Sequence, residues 1–159
     1  VTTEAVEDRM VNSQRDLKIR QVREGEGEEF AAWLSDLTAS TAESPDLALL
    51  ERHLLLTDEV GDWIGGARFL LRGGVAHLVD IGVVPSERGQ GHALRLLEAF
   101  EQHAREAGAH LIEFATDRFG IEPLLAALGW EVVVTRPGYI GGRTWYLLAK
   151  RLGPAPTAP

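Results

Sequence analysis

The stretch VVPSERGQGHALRLLEAF, residues 83–100, reads as the end of a strand, a glycine-rich corner and the start of a helix. From Gly91 onward the apolar period is helical: Leu94, Leu97, Phe100 and Ala104 form a stripe, while Arg95, Glu98, Glu101, Gln102 and Arg105 face water. A glycine corner at a helix start presents backbone N–H groups that have no partner in the first turn, at the positive end of the helix dipole, and so suits an anionic phosphate. Gly89 and Gly91 remove side chains that would hold a phosphate away, and Arg88 can add charge. Three readings compete for such a corner: a nucleotide phosphate, a dinucleotide, or a tight turn that binds nothing. A P-loop needs G-x-x-x-x-G-K-[ST], which is not present. The dinucleotide fingerprint G-x-G-x-x-G begins at Gly89 and Gly91 but ends on Leu94, and Glu113, at roughly the distance of a ribose-binding acid, sits mid-strand.

Outward from the corner, three apolar runs precede it: HLLLTDEV (53–60), WIGGARFLL (63–71) and VAHLVDIGVV (75–84), separated by Gly61-Asp62 and Arg72-Gly73-Gly74. These short separations predict an antiparallel meander. After the helix, which Gly108 stops, HLIEFAT (110–116) is a strand; Pro123 opens a short helix closed by Gly129; EVVVT (131–135) and TWYLLAK (144–150) are strands around a loop, RPGYIGGR (136–143). Upstream, LKIRQVRE (17–24) alternates with a slip in phase and predicts a first strand. EGEEFAAWLSDLTAS (26–40) places Phe30, Trp33, Leu34 and Leu37 at helical spacing, and SPDLALLERH (44–53) offers Ser44 as N-cap and Pro45 at the first helical position. The expected fold is α/β: a mixed, mostly antiparallel sheet of about seven strands flanked by about four helices, in which 75–84 and 110–116 pair in parallel across the helix between them. One domain is expected over 17–151, with tails at 1–16 and 152–159.

The chain of 159 residues carries 16 Lys and Arg against 24 Asp and Glu, a formal net charge of -8. Nucleic acid and anionic membranes are therefore disfavoured as partners, whereas a cationic substrate is drawn in; the competing and plainer reading is that the acidity simply keeps the protein soluble. No cysteine is present, which excludes disulfides, thiolate catalysis and cysteine-zinc sites, and the five histidines lack ligand spacing, so no metal is expected. No apolar run approaches the roughly 20 residues of a membrane span, and the polar start VTTEAVEDRM does not read as a signal peptide. The expected compartment is the cytoplasm.

A longer pattern decides among the readings of the corner. Arg88-Gly89-Gln90-Gly91-His92-Ala93 fits R/Q-x-x-G-x-G/A, and Val83-Val84-Pro85-Ser86-Glu87-Arg88 fits a V-x-P-x-x-R lead-in. Leu128-Gly129-Trp130 looks like an L-G-F signature at the end of the last helix. Together these resemble the GNAT N-acetyltransferase family over roughly residues 17–150. The resemblance implies acetyl-CoA as co-substrate, its pyrophosphate on the backbone of Arg88, Gly89, Gln90, Gly91, His92 and Ala93, and its pantetheine arm along Ile81, Gly82 and Val83. It implies transfer to a primary amine of a small molecule or peptide by direct attack on the thioester, which requires a group to take the amine proton and polarisation of the carbonyl. It also allows a homodimer paired through sheet edges or final strands.

Two candidates for that proton follow from offsets. His77 lies eleven residues before Arg88, where arylalkylamine members of the family carry a relay histidine in H-L-x-x-L-x-V-x-x-x-x-R. A histidine titrates near neutrality, as a relay needs; the competing reading is a half-exposed strand histidine, hydrogen-bonded and idle. Glu113 lies sixteen residues before Gly129, where members that modify protein N-termini carry a base; its competing reading is a strand carboxylate paired to an arginine. Asp80 is a third candidate: on a regular strand it faces away from His77, though a bulge could reverse that. The tyrosine that many members carry as acid toward the thiolate is Leu125 here, and Arg118 stands where an asparagine is common. Phe30, Trp33 and Tyr139 are candidates to line the acceptor pocket. The resemblance thus leaves two outcomes, a working N-acetyltransferase or a coenzyme-binding module of the same fold that has lost transfer, with a nucleotide-binding protein of another class as the outside alternative.

Overall fold

The computed structural model describes residues 17–39, 48–118 and 122–154; the predicted tail at 1–16, and residues 155–159 of the one predicted at 152–159, lie outside them. The chain divides into two compact units, Val1–Ser44 and Pro45–Pro159.

In the N-terminal unit, helix α1 spans Gly27–Thr38 with Glu28 and Glu29 in its first turn, where carboxylates suit the helix dipole. The strand predicted over 17–24 does not form: residues 17–23 carry no regular structure. A strand is stabilised only by pairing, and here the local charges make a different bargain. Glu26 accepts hydrogen bonds from Arg20 Nη1 at 2.9 Å and from the backbone N–H of Arg23 at 2.9 Å, which folds the segment into a turn before α1. Those same bonds, the Arg20 guanidinium first, hold the Glu26 carboxyl below its ordinary pKa.

The C-terminal unit is a six-stranded sheet of order β1-β2-β3-β4-β6-β5. Its strands are β1 Leu50–Thr57, β2 Trp63–Arg72, β3 Val75–Val83, β4 Leu111–Thr116, β5 Glu131–Arg136 and β6 Trp145–Arg151, with helices α2 His92–Glu106 and α3 Glu122–Ala127. The predicted meander β1-β2-β3 is antiparallel, and β3 and β4 pair in parallel across α2. Among the described residues there are thus six strands and three α-helices rather than about seven and four. The helix predicted over 44–53 is overridden in its second half, since Leu50 to His53 pair with Leu71 to Arg68 in β1; residues 40–47 lie outside the described part. The run LERHLLL alternates as well as it coils, and a long neighbouring strand settles the choice.

One face of the sheet is covered by α2, which packs over β1, β2 and β3. Its buried positions are Leu96, Leu97, Phe100 and Ala104, so Leu96 takes the core place the spacing had given to Leu94. Phe69 and Phe100 meet edge to face with centroids 5.0 Å apart, surrounded by Leu78, Ile112, Leu125 and Leu148, all essentially inaccessible. Burying each such side chain contributes about 1.5–3 kcal/mol.

The helix is also pinned by charge. Glu101 accepts from Lys150 Nζ of β6 at 2.9 Å and from Arg105 at 2.9 Å. Burial raises the Glu101 pKa, but these bonds outweigh it and hold the value below the ordinary carboxylate range. A carboxyl depressed in the folded state contributes stability above its unfolded pKa of about 4.3 and loses it as pH falls through the folded value. Glu101→Gln is therefore expected to cost about 1–2 kcal/mol at pH 7, a difference from wild type that begins to shrink as pH falls below about 4.3 and closes as it passes through the lower folded value, read by chemical denaturation.

Candidate active site

The site is set by a change of register in β3. Arg68 pairs with Asp80 and Phe69 with Leu78, so Val79 is an extra residue, a bulge. Burial tracks it: Ala76 and Leu78 face the core before the bulge, while Asp80 and Gly82 are exposed after it. Asp80 is thereby returned to the face that carries His77. The parallel pairing of β3 with β4 ends at Leu78 and Phe114. Beyond that point Ile81, Gly82 and Val83 have no strand partner on the β4 side, and the two strands part.

At the foot of this gap His77 and Glu113 are register partners across the parallel ladder, with His77 Nδ1 3.3 Å from Glu113 Oε1. Both side chains remain about one-third accessible. Glu113 thus pairs with the histidine rather than with an arginine. An imidazole that gives its Nδ1 proton to a carboxylate keeps Nε2 as an acceptor, the arrangement of an oriented base.

Past the gap, Pro85–Glu87 makes one 3-10 turn, and the corner follows. Gly89 and Gly91 adopt φ of +78° and +80°, left-handed backbone that glycine takes without strain. Gly91 is the N-cap of α2 and no side chain caps the helix. The first intrahelical bond runs from Arg95 N to Gly91 O, which leaves the N–H groups of His92, Ala93 and Leu94 at the helix start without partners among the described residues. Among the described residues, those of Gly89, Gln90 and Gly91 also lack partners. A Cβ built on Gly89 or Gly91 meets nothing within 4 Å, so the corner is open on that side. A row of free donors on an open corner, at the positive end of a helix, fits a diphosphate. Arg88 does not lie across this opening: its Nε donates to Val83 O at 3.0 Å and braces the corner to the strand end. His92 sets Nε2 3.3 Å from Glu87 Oε2, and its Nδ1 is buried with no partner among the described residues.

Tyr139 lies on the loop between β5 and β6, beneath the guanidinium of Arg136 at 5.1 Å from the ring centroid. Arg143 of that loop pairs with Asp117 at 2.9 Å, tying the loop to the C-terminal end of β4, where the gap opens. Phe30 and Trp33 belong to the N-terminal unit, where their rings stand 5.7 Å apart and share a hollow with Ile19 and Val22. Leu125 is fully buried in the core, and no hydroxyl stands at that position. Among the described residues, no group of three or more His, Asp or Glu is placed to hold a metal, and no helix is long and apolar enough to cross a membrane.

Sequence reasoning missed Glu51 and Arg68. Arg68 donates Nε and Nη2 to Asp80 Oδ2 at 2.9 and 2.6 Å, and Nη1 to Glu51 Oε1 at 3.0 Å, on the same face as His77. The charged pair at corresponding positions of the two strands was the available signal, concealed by the bulge that brings Asp80 round. Each carboxylate helps to raise the Arg68 pKa, Asp80 most.

The fold has counterparts in known proteins. A crystal structure of an acetyltransferase from Bacillus cereus matches with a TM-score of 0.70 at 21% identity, covering 86% of this chain and 98% of that one. The ribosomal-protein-S18-alanine N-acetyltransferase of Escherichia coli matches at 0.60 and 18% identity, covering 83% of this chain and 80% of that one. A GNAT family acetyltransferase from Elizabethkingia anophelis with acetyl-CoA bound matches at 0.60 and 15% identity, covering 64% of this chain and 76% of that one. At these identities the likeness is one of fold. No curated protein matches the chain in sequence. The family model described as acetyltransferase (GNAT) family matches residues 13–129, most of the chain, and with it the corner, the gap and the last helix find their common explanation: the chain belongs to the GNAT acetyltransferase family.

Proposed function

We propose that this chain transfers an acetyl group from acetyl-CoA to a primary amine of a small molecule or peptide. The observation that carries this reading is the uncapped start of α2 with its open row of N–H donors, set at the end of the strand that parts from β4. The backbone of Arg88 to Ala93 would hold the diphosphate, and the free edge of Ile81, Gly82 and Val83 the amide arm. Acetyl-CoA supplies the activated acyl carbon, bound to sulfur. The amine nitrogen forms the new bond to that carbon, the carbon–sulfur bond breaks, and the amine proton passes to His77 Nε2 or to Glu113. Coenzyme A leaves as the thiolate and takes its proton from water.

A second reading has its own observation. Leu125 stands buried where many members carry the acidic tyrosine, so the thiolate finds no side-chain donor there. A module that binds the coenzyme without transfer would tolerate this. Acetyl-CoA at millimolar concentration is expected to raise the melting temperature by several degrees, while NAD and ATP leave it unchanged, by the linkage of binding to stability. An amine panel read by thiol release is expected to exceed hydrolysis. No shift with acetyl-CoA overturns both readings; a shift with persistent silence toward amines favours the binding module.

A further inference from the structure

We propose that the groove across β1, β2 and β3 beside His77 is the acceptor pocket, and that it selects a primary amine carried on an apolar body. This inference deepens the acetyltransferase reading and rests on it for the chemistry, though not for binding.

The groove has a volume of about 600 Å³, the size of a small-molecule site. Leu55, Trp63, Gly66, Arg68, Asp80 and Val84 line it. Its place follows from register. Gly66, Arg68 and Leu70 share one face of β2; they oppose Gly82, Asp80 and His77, and His77 in turn opposes Glu113. Groove and proton acceptors therefore lie on one face, separated along β3 by about 7–10 Å at the rise of a strand.

Two properties define what fits. The walls are apolar and turned to solvent: Leu55 is 52% and Trp63 74% exposed, and Gly66 leaves a floor without a side chain. The end toward His77 is charged. Arg68 is shared by Glu51 and Asp80, two carboxylates to one guanidinium, and Asp80 Oδ1 accepts no bond from it. Counting Glu51, Arg68 and Asp80, the cluster retains one excess negative charge, complementary to an ammonium; the His53 ring, which also lines the groove, stands 3.8 Å from Glu51 Oε1. An amine on an alkyl or aromatic body meets both demands, with nitrogen at Asp80 and body against Leu55 and Trp63. A polyhydroxylated amine would lose water from its hydroxyls against walls that are mainly apolar and offer few hydrogen bonds, those of the Trp63 indole N–H and the His53 ring. A carboxylate would meet the wrong sign. Asp80 is in this account a substrate-binding residue, and it delivers the amine toward His77 and Glu113.

The test uses the intact chain and a series of probes. Hexylamine is expected to shift the indole N–H resonance of Trp63, assigned with Trp63→Phe, whereas methylamine and hexanoate leave it in place. Asp80→Asn should weaken hexylamine at least fivefold, while the rise in melting temperature with acetyl-CoA stays as in wild type. In turnover, kcat/KM should climb about fourfold per methylene from ethylamine until the groove fills, and Trp63→Ala should flatten that climb. Equal shifts with hexanoate, no response at Trp63, or rates flat in chain length overturn the proposal. Failure of the acetyltransferase reading looks different: acetyl-CoA then gives no thermal shift, and the Trp63 titration still decides the groove.

Discussion

Glu113→Gln and His77→Ala are each expected to lower kcat by about 10²-fold or more, with the thermal shift caused by acetyl-CoA unchanged. The size comes from the usual worth of a positioned general base, about 10² to 10⁴. Both variants should fall because the two side chains form one unit, His77 Nδ1 facing Glu113 Oε1 at 3.3 Å across the β3–β4 ladder. Their order assigns the roles. If His77 Nε2 takes the proton, His77→Ala is the worse, and Glu113→Gln keeps part of the rate, because an amide oxygen still accepts from Nδ1. If Glu113 takes it, Glu113→Gln is the worse. The double variant should then fall little below the worse single, as groups that act together are not additive. Neither change should unfold the protein, since a pair this accessible contributes at most about 1 kcal/mol. Rates unchanged in both would remove the pair from the chemistry.

That pair shows what a sequence can and cannot disclose. His77 and Glu113 were reached separately, one by its distance from Arg88 and the other by its distance from Gly129. Their adjacency is a fact of the parallel register between β3 and β4. That register depends on how a whole helix crosses over, and no local period encodes it. The strands themselves were legible wherever apolar alternation ended in turn residues, as at Gly73-Gly74 between β2 and β3. They were not legible where two structures compete on equal terms. LKIRQVRE alternates imperfectly, and the Arg20–Glu26 contact settles it as a turn; ALLERH coils or extends equally, and β2 settles it as a strand. The bulge at Val79 left no mark in the alternation of VAHLVDIGVV, yet it brings Asp80 beside the site and gives Arg68 and Glu51 their place there.

Gly91→Ala tests the corner, and Gly108→Ala supplies its control. Both glycines have φ of +80°, and a Cβ on either meets nothing within 4 Å. They therefore share one cost, the strain of an L-residue in left-handed backbone, about 1–2 kcal/mol. Each should lower the melting temperature by a few degrees and by similar amounts. They differ in what the glycine faces. Gly108 follows the C-terminal end of α2, where the backbone dipole is negative. Gly91 caps the N-terminal end, beside the unpaired N–H groups of Gly89 to Leu94. If the diphosphate binds as proposed, a methyl group there would stand close to its oxygens, and relief of the backbone strain would turn the donors away from it. Gly91→Ala is accordingly expected to weaken acetyl-CoA by at least 30-fold, on the order of 2 kcal/mol and the worth of one or two charge-assisted hydrogen bonds. Gly108→Ala should leave the affinity at the wild-type value. Calorimetric titration of both variants separates the effects: equal losses would mean that the corner acts only through stability, whereas a loss confined to Gly91→Ala places the diphosphate on the start of α2.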